Sequence, residues 1–205
     1  GTLGSGAEIA LAEDGPLRKA YRIKRQKDGS TFLQYIRMTA LSDRIDCVNE
    51  VDWQTQETLV KVLFPFTFNN SKDTYDLSLG TIQRGVRTTN EYEVLGHQWA
   101  DHSAGTNSYG VSILTNCKYG WDKPSEKQLR LTLHHTPYAR DHKHHADMDI
   151  GANHYTYSIY PHDGGWGVGT QQEASRLNQP LVAFTAPKHD GELGRTFHFI
   201  DIDYD

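Results

Sequence analysis

Along most of this chain apolar and polar residues alternate over short runs, with turn residues every ~8–12 positions. The clearest run is IDCVNEVDW. Ile45, Cys47, Val51 and Trp53 share one face with Asn49, and Asp46, Glu50 and Asp52 occupy the other. Before it, Gly15 and Pro16 signal a turn, LRKAYRIKRQ puts Leu17, Tyr21 and Ile23 on one face, and Asp28-Gly29 predicts a hairpin into TFLQYIRMTAL. After it, TLVKVLFPFTF is apolar on both faces over Leu63–Phe66. That predicts a strand in the middle of a sandwich, with Pro65 at a strand end, an edge or a bulge. Further strands are read in TYDLSLGTIQRG (broken at Gly80), Tyr92–Asp101, YGVSILT, LRLTLHH, HYTYSIYPH and, at the end, LVAFTAP and RTFHFIDID. The one short helix predicted is Thr170–Leu177.

Nine or more short strands with almost no helix predict an all-β fold, an antiparallel two-sheet sandwich. Trp53, Leu63, Phe64 and Trp99 are expected in its core. Residues 1–9 read as a linker or appended end, and 10–205 as a single β-sandwich domain. A chain of 205 residues can bury one substantial core.

Composition narrows the partners. Lys and Arg total 21 against 26 Asp and Glu, a net charge of −5, so no general pull toward nucleic acid or anionic membrane is expected. No apolar run approaches the ~20 residues of a membrane span. Two cysteines, Cys47 and Cys117, fit reduced thiols and a cytoplasmic location better than a disulfide framework, and a periplasmic one stays open.

The candidate chemistry concentrates in the stretch from Tyr92 to Asp122. His97, Trp99 and Asp101 sit two apart, so a strand would present all three on one face, with Gln98, Ala100 and His102 on the other. An indole beside an imidazole and a carboxylate suits a sugar, and equally suits a buried Trp beside a His–Asp hydrogen bond. Asp46, Glu50 and Asp52 read as the solvated side of their strand. His142, His144, His145, Asp147 and Asp149 offer metal-ligand atoms but read as a polar loop, so no metal site is expected in this chain. Of His134 and His135, at most one is buried. Tyr155, Tyr157 and Ile159 read as core.

Taken together, GPLR at 15–18, VDW at 51–53, LVKVLFPF at 59–66, YDLSLGTIQR at 75–84, YEVLGHQWADHS, YGVSILTNCKYGWD, LRLTLHHTP and YTYSIYPHDGGW form an ordered series. The series resembles the C-terminal β-domain of glycoside hydrolase family 38, the retaining α-mannosidases, in their cytosolic and bacterial branch. The resemblance covers roughly residues 11–187 and departs at GVRTTNE, which is shorter than the family's segment. It implies a galactose-mutarotase-like supersandwich, here truncated at both ends. It also implies that the catalytic carboxylates and a divalent metal, usually zinc, lie in an N-terminal barrel that this chain lacks, and that no cofactor binds here. The expected partners are that barrel and its helical bundle, a mannose-containing oligosaccharide and, through uncovered edges, further copies of this chain. On this reading His97, Trp99 and Asp101, with Tyr119 and Trp121 as companions, line the outer substrate cleft or brace the domain interface. The competing readings are an independent carbohydrate-binding module, which needs an exposed aromatic platform, and a mutarotase-like sugar epimerase, which needs a His acid and a carboxylate base in one cleft.

Overall fold

A computed structural model describes residues 2–3, 6–90, 92–104, 109–137, 148–194 and 196–201. Two antiparallel sheets face each other. The larger takes β1 (Glu8–Asp14), β2 (Arg18–Lys27), β3 (Ser30–Thr39), β4 (Ile45–Trp53), β6 (Lys72–Leu77), β7 (Gly80–Gly85), β9 (Trp99–Ser103), β10 (Tyr109–Thr115) and β13 (Gly151–Asp163). Its strand order is β1-β2-β3-β4-β13-β10-β9-β6-β7. The smaller sheet takes β5 (Thr58–Pro65), β8 (Val94–Leu95), β11 (Gly120–Ser125) and β12 (Gln128–Thr136), in the order β5-β12-β11-β8. Among the described residues the one helix, α1 (Val168–Asn178), contains the predicted Thr170–Leu177.

Local chemistry explains the turns. Asp28 and Gly29 both have positive φ (50° and 83°), as a two-residue type I′ hairpin between right-twisted strands requires, and β2 pairs with β3 in full register from Lys27–Ser30 onward. In β4 the period-two reading holds: Cys47, Asn49, Val51 and Trp53 are buried. They meet Phe64, Trp121, Leu129 and Leu131 of the small sheet and Tyr75, Ala100, Ile113, Tyr155 and Tyr157 of the large one in one core.

Three expectations need correction. First, Leu63 is 46% exposed: it points to the outer face of the small sheet, in the edge strand β5 that pairs only with β12. Its residues Val60, Val62 and Phe64 face the core, and Leu59 and Leu63 face out. Second, Glu8 and Ile9 already belong to β1, so the sheet begins two residues inside the stretch read as a linker. Third, residues 179–194 and 196–201 contain no strand, and Leu181, Val182, Phe184 and Phe199 are exposed. Without a partner strand, an apolar run has nothing to pair with.

Candidate functional site

Tyr92–Asp101 is not one strand. β8 pairs with β11 in the small sheet and β9 pairs with β10 and β6 in the large one, so the chain crosses between layers at residues 96–98. Gly96 makes the crossing possible: a Cβ there would stand 2.8 Å from the Trp121 indole. His97 therefore precedes the strand, and only Trp99 and Asp101 share its outer face.

That outer face lies under α1. Trp99 is completely buried with Leu114 and Ala174, flanked by Tyr160 and Leu177, and its ring centroid is 4.9 Å from that of Trp166. Asp101, 2% exposed, accepts hydrogen bonds from Ser103 Oγ, Ser112 Oγ (2.8 Å) and His162 Nε2 (2.7 Å). Ser112 Oγ in turn is 2.9 Å from Thr170 Oγ1 on α1. Burial lowers the His162 pKa, but the hydrogen bond and charge of Asp101, helped by Asp163, outweigh it and leave the imidazole raised.

Ser, His and Asp together invite comparison with a nucleophilic triad, and the geometry argues against one. Ser112 Oγ (3.1 Å) and Asp101 Oδ2 meet the same ring nitrogen, Nε2, whereas a triad places the carboxylate on the other nitrogen. Ser112 is also completely buried. What the cluster does is hold α1 to β9, β10 and β13.

A second clamp supports the same helix. Arg44 donates to Asp46 Oδ1 (2.8 Å) and to the Glu173 backbone (3.0 Å) and carboxylate (3.1 Å), and Ser158 Oγ donates to Asp46 at 2.6 Å. Asp46 is therefore not part of a solvated face; it anchors the helix. Asp52 is exposed and Glu50 half-buried, in line with the alternation.

Of the five residues singled out from sequence, two reach the surface. The rings of His97 and Tyr119 stack at 5.4 Å, and His97 Nδ1 lies 3.5 Å from Asp76 Oδ2. Trp121 is buried in the main core, its Nε1 donating to Gly96 O at 3.3 Å. His134 is buried and His135 exposed, and Tyr155 and Tyr157 are core. His134 stacks on Trp53 (5.1 Å) with both ring nitrogens unpartnered, and burial pushes its pKa down to about 4.

Sequence reasoning missed the charged groups inside the sandwich. His102 Nδ1 donates to Asp73 Oδ1 (2.8 Å), and Lys123 Nζ donates to the same oxygen (2.9 Å). All three residues are at most 1% exposed. On the outer face of the small sheet, the buried Asp122 takes Lys61 (3.0 Å), Arg87 (3.5 Å) and Arg130. The faint signal was alternation: His102 shares the inward face of β9 with Ala100, and Lys123 that of β11 with Trp121. Among the described residues no three His, Cys, Asp or Glu side chains come together in a way that could hold a metal ion. Asp149 is exposed, and His142, His144, His145 and Asp147 lie outside the described residues.

Residues 2–143 match the family model described as the glycosyl hydrolases family 38 C-terminal domain. The chain belongs to this family. Alpha-mannosidase 2C1 of Mus musculus is 30% identical over 192 residues, 90% of this chain, and the Homo sapiens protein of the same name gives the same figures. An alpha-mannosidase of Saccharomyces cerevisiae is 33% identical over 163 residues, 75% of this chain. The chain spans only 18% of the length of the first two relatives and 14% of the yeast protein. A crystal structure of a glycosyl hydrolase family 38 protein from Enterococcus faecalis superposes with a TM-score of 0.74 at 16% identity, over 91% of this chain and 26% of that one. The two-sheet architecture is therefore shared.

Proposed function

We propose that this chain is the non-catalytic β-domain of a retaining α-mannosidase that removes terminal α-linked mannose from oligosaccharides. The domain packs on a catalytic barrel and helical bundle elsewhere in the parent protein, which belongs to the cytosolic and bacterial branch. The nucleophile, the acid/base and the zinc ion belong to that barrel. Of the five residues singled out from sequence, the half-buried His97 and the exposed Tyr119, a stacked pair, are the two that reach the surface and line the outer mannose cleft.

The observation that carries this reading is the family match over residues 2–143, joined to alpha-mannosidase relatives at 30% identity across 90% of the chain. The fate of the buried carboxylates supports it. A retaining glycosidase needs two carboxyl groups about 5–5.5 Å apart with different protonation. Here Asp73, Asp101, Asp122 and Glu173 are each bonded to a Lys, Arg or His. A free carbohydrate-binding module is less well supported, because Trp53, Trp99 and Trp121 are at most 2% exposed and the fourth tryptophan, Trp166 (37% exposed), packs against the buried Trp99. A mutarotase-like site fares no better, since the His102–Asp73 and His162–Asp101 pairs are enclosed. The free thiols of Cys47 and Cys117 support a reducing, cytoplasmic setting.

The test is turnover of an aryl α-mannoside. The purified chain should give none, with or without added zinc, and the full-length parent should be active. In that parent, Tyr119→Ala should raise KM severalfold with the melting temperature unchanged. Turnover by the 205-residue chain alone would overturn the assignment.

A further inference from the structure

At the β7 end the two layers part, and a cavity of about 340 Å³ opens between the edge strands β7 and β8. Small-molecule sites start at roughly this size, ~300 Å³. Its wall is unusual for a chain of net charge −5. Lys72, Arg84, Arg87 and Lys123 all line it, and among the described residues no Asp or Glu does.

These cations are incompletely neutralised. Lys72 and Arg84 have no carboxylate partner among the described residues; the Arg84 guanidinium bonds the Leu95 carbonyl and lies 5.4 Å above the Tyr75 ring. Arg87 reaches Asp122 only at 3.5 Å, and that carboxylate is already shared with Lys61 and Arg130. Lys123 is held by Asp73, which stands behind it and does not line the cavity. Positive charge gathered on a concave wall, with Lys123 buried, Arg84 half-buried and Lys72 and Arg87 at the rim, raises the local concentration of anions.

A second, independent feature points the same way. Tyr75 is completely buried, lines this cavity, and its hydroxyl has no hydrogen-bond partner. A buried donor left unsatisfied is destabilising, and a ligand oxygen would satisfy it. Guanidinium forks, ammonium groups and a phenol O–H are all donors, and together they match a group carrying several acceptor oxygens.

We propose that this mouth of the sandwich is a binding pocket for a small oxyanion of the phosphate-monoester class, held by Lys72, Arg84, Arg87 and Lys123 with the Tyr75 hydroxyl donating. The proposal does not depend on the mannosidase reading, because its primary probe is inorganic phosphate.

Isothermal titration calorimetry of the purified chain, with ionic strength matched by chloride, tests it. Phosphate should bind one to one. The double variant Lys72→Gln/Arg84→Gln, on exposed and half-exposed edge positions, should bind at least about tenfold more weakly. Tyr75→Phe, which removes only the unpartnered hydroxyl, should weaken binding severalfold without lowering the melting temperature. Lys19→Gln, at the exposed Asp14 pair on β2, should change nothing. Mannose 6-phosphate serves as the second arm: affinity tenfold above phosphate assigns a sugar phosphate as ligand, and equal affinity assigns the free anion. No binding of phosphate over chloride, or undiminished affinity in the double variant, would overturn the proposal.

Discussion

His162 Nε2 on β13 lies 2.7 Å from Asp101 Oδ2 on β9, reaching across the intervening strand β10. The pair joins three strands and, through Ser112 and Thr170, the helix above them. It makes the Asp101 motif part of the domain's internal framing.

The pH dependence of stability follows from two histidines with opposite signs. The folded pKa of His162 is raised above 6.5, so its contribution is fully present below pH 6.5 and is lost as pH rises through the folded value. His134 is depressed to about 4, so below pH 6.5 the unfolded chain takes up a proton that the folded chain refuses. That loss amounts to about 3 kcal/mol by pH 4. Thermal melts across this range should show His162→Gln losing stability chiefly on the acid side. His134→Phe should become less acid-sensitive and should not be destabilised at neutral pH. Parallel pH profiles for wild type and His134→Phe would contradict this.

Asp73→Ala should lower stability by ~3–5 kcal/mol, because it strands the Lys123 ammonium in the core and removes the acceptor of His102. Replacing Asp73 and Lys123 together with Leu and Met should recover much of the loss. Urea unfolding midpoints measure both. A double variant as unstable as Asp73→Ala would mean that the side chains matter for shape, not for charge.

Among the described residues β1, β7, β5 and β8 are sheet edges, and β5 exposes Leu59 and Leu63. Self-association at millimolar concentration is therefore expected, and Leu63→Lys should suppress it. Analytical ultracentrifugation checks both. A monomer throughout would show that the exposed tail or the loops protect these edges.

Much of the fold was legible in the sequence because local rules decide it. Asp28-Gly29 dictates its turn, and the alternation of Cys47, Asn49, Val51 and Trp53 gives the inward face of β4. The misreadings arose where tertiary placement decides. Leu63 and Phe64 look the same in a middle strand and an edge strand until β5 is found in the small sheet with Leu63 on its outer face. His97, Trp99 and Asp101 share a period of two, but Gly96 carries the chain between sheets, and the period starts only at Trp99. Asp73, His102 and Lys123 come from three strands in two sheets, so no local window contains them.

Hydrogen exchange in Asp101→Asn tests most directly whether this motif is a brace. The account predicts that the amides of α1 (Val168–Asn178) exchange faster. Losing a charged hydrogen bond, ~1.5–3 kcal/mol, corresponds to about a 10- to 150-fold rise in local opening. Protection of β4, on the far side of β13, should stay at the wild-type level. Unchanged protection of α1 in this variant would contradict the account, because Asp101 would then be doing something other than holding the helix on the sheet.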